Sequence, residues 1–100
     1  MATDKLALSL GLVRRAGKLT VGAPLVLEDL RRGKAKLVIL ARDVSENGKK
    51  KILALAGHRG VPVRESAMTK SDLAHAVGVS RSVAAVCVPA EFLALVTASL

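Results

Sequence analysis

A three-layer α/β/α sandwich around a small mixed sheet is the fold that this sequence predicts. Three observations lead there. The chain is 100 residues long with no shift in composition along it, which is the length of one domain, 1–100. Segments with helical periodicity alternate with short apolar runs of strand length, and that alternation places helices on both faces of a sheet. Apolar residues make up 51% of the chain, yet Phe92 is its one aromatic residue. The core must therefore be built from Leu, Val, Ile and Ala, which suits helices lying on a short sheet.

Each element has a local reason. Thr3 or Asp4 can cap a first helix whose inner face carries Leu6, Leu10 and Val13, and Gly17 ends it. An extended piece, Lys18 to Val21, leads to Gly22. Pro24 suits the first turn of a second helix, which stops at Gly33 just after Arg31 and Arg32. Lys36 to Ala41 is an apolar run, read as a strand buried on both faces. Ser45 caps a third helix with Ile52, Leu55 and Ala56 inward, Lys49, Lys50 and Lys51 outward, and a close near Gly60. Val61 to Arg64 is a brief strand whose Pro62 places it at an edge or at its own start. Thr69 and Asp72 have capping-box spacing ahead of a helix buried through Leu73, Ala76 and Val77 and stopped by Gly78. Val83 to Val88 is the last strand, and Pro89 opens a terminal helix from Ala90 to about Ser99.

Composition also restricts function. Sixteen Lys and Arg stand against eight Asp and Glu, a formal charge of +8, and a small basic domain attracts polyanions, nucleic acid above all. Base stacking on aromatic platforms is almost ruled out, because Phe92 is the chain's one aromatic residue. RNA must instead be read by backbone amides, Arg, Lys and small apolar loops. Charged residues interrupt the N-terminal apolar stretch, and no apolar run approaches the roughly eighteen residues that span a bilayer. A cytoplasmic protein without a membrane partner is expected.

Catalytic constellations are thin. His58 and His75 have no metal-ligand spacing around them, Cys87 sits in an apolar run as a buried thiol, and Ser45 is explained by capping. No phosphate loop of Walker or dinucleotide type is present. No enzymatic activity, metal, cofactor or small-molecule substrate is expected. The basic residues cluster instead, in Arg31-Arg32-Gly33-Lys34-Ala35-Lys36 and Lys49-Lys50-Lys51, with Arg14, Arg15 and Lys18 upstream.

Two separated stretches carry a resemblance. Gly22-Ala23-Pro24-Leu25-Val26-Leu27-Glu28 through Arg32 to Val44, and Asp72-Leu73-Ala74-His75-Ala76-Val77-Gly78-Val79-Ser80-Arg81-Ser82, resemble signatures of the archaeal ribosomal protein L-seven-Ae family. Leu12 to Lys18 and Asp43 to Asn47 look most like a bacterial branch of that family. The resemblance runs from about residue 4 to 88 and implies an α/β/α sandwich that binds kink-turn RNA, a sharply bent duplex flanked by sheared G·A pairs. Ribosomal RNA, or the ribosome itself, is the partner class it implies.

In the family the second helix opens with Gly-Ala-Asn-Glu-x-x-Lys and an Arg four residues later. Gly22 matches the glycine, Ala23 the alanine and Arg32 the arginine. Pro24 stands at the Asn position, Leu25 at the Glu position and Glu28 at the Lys position. Residues 25, 28, 29 and 32 share one helical face, so these exchanges remove polar readers of guanine and place an acid beside Arg32. The loop at Val79, Ser80 and Arg81 keeps the apolar residue and the arginine that cover a flipped-out nucleotide in the family. The expected RNA-binding set is Lys18, Gly22, Ala23, Pro24, Leu25, Arg32, Lys34, Val79, Ser80 and Arg81. A protein-interaction module that keeps the fold and uses the apolar Pro24-Leu25 tip is the competing expectation.

Overall fold

The computed structural model describes residues 2–100, with the side chains of Ala2 and Thr3 outside the description. In chain order the elements are α1 (Ala2–Arg15), β1 (Thr20–Val21), α2 (Ala23–Arg31), β2 (Leu37–Leu40), α3 (Glu46–Arg59), β3 (Val63–Glu65), α4 (Lys70–Val77), β4 (Ala85–Val88) and α5 (Leu93–Ala98), with a 3-10 turn at Ala90–Phe92 before the last helix. The four strands lie in the order β1-β4-β2-β3. β4 runs antiparallel to both β1 and β2, while β2 and β3 are parallel, so the sheet is mixed.

The sheet has helices on both faces because alternate residues of its central strands point opposite ways. Leu37 and Ile39 of β2, with Val86 and Val88 of β4, pack against Leu6, Leu10 and Val13 of α1, Leu73 and Val77 of α4 and Val96 of α5. Val38, Leu40, Ala85 and Cys87 face the other way, onto Val26 and Leu30 of α2 and Ile52 and Ala56 of α3. Ile39 is fully buried, and truncating such a side chain to alanine costs about 2–5 kcal/mol.

Local rules account for the boundaries. The Ser45 side chain accepts from the Gly48 N–H at 3.1 Å, and the Thr69–Asp72 capping box closes in both directions. Several details differ from the sequence reading. α4 buries Leu73, Ala74 and Val77, while Ala76 is only partly buried, and β1, β2 and β3 are Thr20–Val21, Leu37–Leu40 and Val63–Glu65, against the expected runs 18–21, 36–41 and 61–64. α1 begins at Ala2, so Asp4 lies in its first turn instead of capping it; the Thr3 side chain lies outside the described residues. β4 begins at Ala85, because the Val83 N–H is turned away from the ladder and donates to the Lys70 carbonyl at 3.1 Å. The terminal helix is divided into the 3-10 turn and α5. β3 is an edge strand that starts directly after Pro62, whose carbonyl accepts from Val38 at 3.1 Å.

Candidate RNA-binding surface

Two sequence segments far apart in the chain meet at one end of the sheet. β1 pairs with β4 through Thr20–Cys87 and Val21–Val86, which carries the start of α2 next to the loop that precedes β4. Gly22 makes the corner. Its N–H donates to Ala85 at 2.9 Å and its carbonyl accepts from Val26 at 3.0 Å, so it ends the strand and begins the helix. Its backbone sits at φ 101, ψ 142, a region open essentially to glycine alone. A Cβ built on Gly22 would lie 3.9 Å from the Arg81 guanidinium. Arg81 thus reaches over the opening of α2.

Two adjoining grooves follow from that meeting. One, of about 510 Å³, is lined by Gly22, Ala23, Pro24 and Leu25 together with Lys70 and Arg81. The other, of about 450 Å³, has apolar walls from Leu19, Val21, Leu25 and Val79 and cations from Arg14, Arg32 and Arg81. Glu28 and Asp29 put two carboxylates in the same groove. Leu25 stands between the two spaces with 51% of its surface exposed. An apolar wall, a guanidinium and an acceptor in one concavity can hold a nucleobase, with cations at the rim for its phosphates.

The electrostatics of α2 are partly self-neutralised. Arg32 Nη2 lies 2.7 Å from Glu28 Oε1 one helical turn earlier, so the cation matching the family's pattern is already occupied. The Asp29 carboxylate accepts from the Thr20 hydroxyl at 2.5 Å and from the Cys87 thiol at 3.7 Å. Burial, with Asp29 beside it, pushes the Cys87 thiol up to about 12, which makes it an inert core group.

The structure brings Gly22, Ala23, Pro24, Leu25, Arg32, Val79 and Arg81 into these two grooves. Lys18 and Lys34 lie outside them, in a neighbouring groove of about 590 Å³ with Lys36, joined to the first through Thr20 and Asp29. Lys18 is also 3.9 Å from Glu91. Ser80 is exposed on the turn and lines neither α2 groove. Arg14, Asp29 and Lys70 line the site without having been expected there. Arg14 belonged to a visible basic cluster and Asp29 to the same helical face as Leu25. Nothing local marks Lys70, which tertiary packing carries in. Of the lysine triplet, Lys49 is tied to Glu65 at 2.7 Å, a hydrogen bond that raises its proton affinity.

Among the described residues no group of three His, Cys, Asp or Glu side chains is placed to hold a metal, and no helix is long and apolar enough to cross a membrane.

Residues 4–94 match the ribosomal protein L7Ae/L30e/S12e/Gadd45 family. The chain is similar to the RNA-binding protein YlxQ of Enterococcus faecium, at 39% identity over 74 residues, 74% of this chain and 71% of that one. YlxQ of Bacillus subtilis (strain 168) is likewise 39% identical over 56 residues, 56% of each chain. Both relatives carry the name of a binding protein, not of an enzyme. A solved protein of unknown function from Bacillus halodurans superposes with a TM-score of 0.86 at 30% identity, covering 95% of each chain. The 15.5kD RNA binding protein of Giardia lamblia shares the fold, with a TM-score of 0.72 at 23% identity over 99% of this chain and 90% of its own. The chain belongs to the ribosomal protein L7Ae/L30e/S12e/Gadd45 family.

Proposed function

We propose that this chain is a non-catalytic, cytoplasmic RNA-binding protein, associated with the ribosome or with translation, that recognises structured RNA of the kink-turn kind. The observation that carries the reading is the seating of Arg81 over Gly22, which joins the opening of α2 and the Val79–Arg81 loop into one surface. The names of the YlxQ relatives support RNA as the partner class. Gly22 lets an RNA strand approach the backbone closely, Val79 and Arg81 pack on an unstacked nucleotide, and Leu25 supplies an apolar contact. Lys18, Lys34 and Lys70 add charge around the rim. The helix-start amides near Ala23 favour phosphate, less one donor at Pro24.

The exposed Leu25 beside Pro24, with Arg32 neutralised by Glu28, favours a second reading in which the same tip docks on a protein. A titration with a kink-turn hairpin and an unkinked duplex of equal length separates the two. Tighter binding to the hairpin supports kink-turn recognition. Equal affinity with a steep salt dependence leaves only electrostatic adhesion, and no binding near physiological salt favours the protein partner.

A further inference from the structure

The nucleotide groove does not close at its Arg14 end. The Arg14 side chain also lines a second groove, of about 470 Å³, between the C-terminal ends of α1 and α4. Its floor is backbone, because the helices come so close at Gly11 that a Cβ there would meet the Ala76 carbonyl at 3.1 Å. Its rim is Arg14, Arg15 and His75, all exposed. No carboxylate lines it, whereas the first groove holds two.

The last turns of both helices are closed by backbone hydrogen bonds. Ala16, Gly17 and Lys18 close α1 with N–H donors to Leu12, Arg14 and Val13, and Gly78 and Val79 close α4 onto His75 and Ala74. Neither arginine is ion-paired among the described residues. Both arginines therefore line the groove with no carboxylate of the described residues paired to them.

We propose that bound RNA continues from the first groove into this one, with Arg14 and Arg15 contacting successive phosphates and His75 donating a hydrogen bond to the same backbone. The proposal rests on the RNA-binding reading above. Contiguity through Arg14 and the turn at Gly78–Val79 favours an RNA strand over an acidic polypeptide, since the floor offers no pocket for an apolar side chain.

The test uses the full chain and a kink-turn hairpin with both stems extended, together with versions in which each stem is trimmed in turn. Wild type, Arg14→Gln/Arg15→Gln and Arg81→Ala are titrated from low to high salt. Losing two phosphate contacts should flatten the slope of log affinity against log salt by about 1.4–1.8, which is a loss of about 15- to 30-fold at 0.15 M salt if the curves converge near 1 M. Trimming one stem should cost the wild type a similar factor and cost the double variant nothing further. An unchanged slope in the double variant, or equal trimming losses in both proteins, overturns the proposal. If Arg81→Ala weakens binding while the double variant does not, RNA recognition stands and this extension falls. If wild type binds none of these RNAs, both fall. Melting curves confirm that the exposed arginine changes leave the fold intact.

Discussion

Reversing the two departures on the reading face of α2, by Leu25→Glu with Glu28→Lys, should strengthen kink-turn binding. Arg32 is held by Glu28 at 2.7 Å, and both side chains are about half exposed. Removing the glutamate releases Arg32 for phosphate, and the lysine introduced there adds a second cation. Two more phosphate contacts steepen the salt slope by about 1.4–1.8, or about 15- to 30-fold in affinity at 0.15 M salt on the same convergence near 1 M. The glutamate introduced at position 25 supplies a base-edge acceptor worth about 1–3 kcal/mol by analogy with bidentate contacts to DNA, a further factor of roughly 5 to 150. Because the residues share one face their effects overlap, and a gain of roughly a hundredfold is the expectation. Stability should change little. An exposed i,i+4 pair contributes about 0.3–0.5 kcal/mol and a like-charge pair costs about as much, a melting shift under about 8 °C. Fluorescence anisotropy with the hairpin and a straight duplex measures the gain. No gain, or a loss, refutes the placement of Leu25 and Glu28 on the RNA-facing side; an equal gain on both RNAs reduces the effect to charge.

Gly22→Ala forces a side chain into φ 101, ψ 142 and should cost about 1–3 kcal/mol of stability, read from denaturant unfolding, while weakening RNA binding at the same corner. Asp72 is held below the usual carboxylate range by the Thr69 N–H and then by its hydroxyl. Its contribution is therefore complete above about pH 4, its ordinary value, and is lost as pH falls further. The stability gap between wild type and Asp72→Asn should accordingly shrink in acid, followed by circular dichroism. With its thiol at about 12, Cys87 should react with a disulfide reagent at pH 8 far more slowly in the native chain than in denaturant; equal rates would mean that the β4 face opens readily.

The layered fold was legible because local rules and the hydrophobic pattern agree. Gly17, Gly22, Gly33, Gly60 and Gly78, read as stops or corners, all adopt positive φ. Ser45 and Thr69 cap the helices they precede, and Lys36 to Ala41 contains a strand with no exposed residue. The ends of the last strand and last helix were less legible, since Val83 and Phe92 fit the apolar pattern equally well inside or outside the regular element. The two motifs were joined into one expected RNA-binding set only by the family resemblance, not by any local rule. Only the long-range β1–β4 pairing brings Gly22 under Arg81. Lys18 and Lys34, basic neighbours in sequence of the reading helix, fall in the next groove. Helical spacing places Glu28 beside Arg32, and the two pair at 2.7 Å, whereas the Lys49–Glu65 pair, made between α3 and β3, leaves no local signal.

The most direct measurement is the affinity of the full chain for a kink-turn hairpin against an unkinked duplex of equal length, each at two salt concentrations. A surface built from Gly22, Leu25, Val79 and Arg81 predicts tighter binding to the hairpin at both salts, with the preference reduced by Arg81→Ala. Equal affinities that fall together with salt, unaffected by Arg81→Ala, would contradict it.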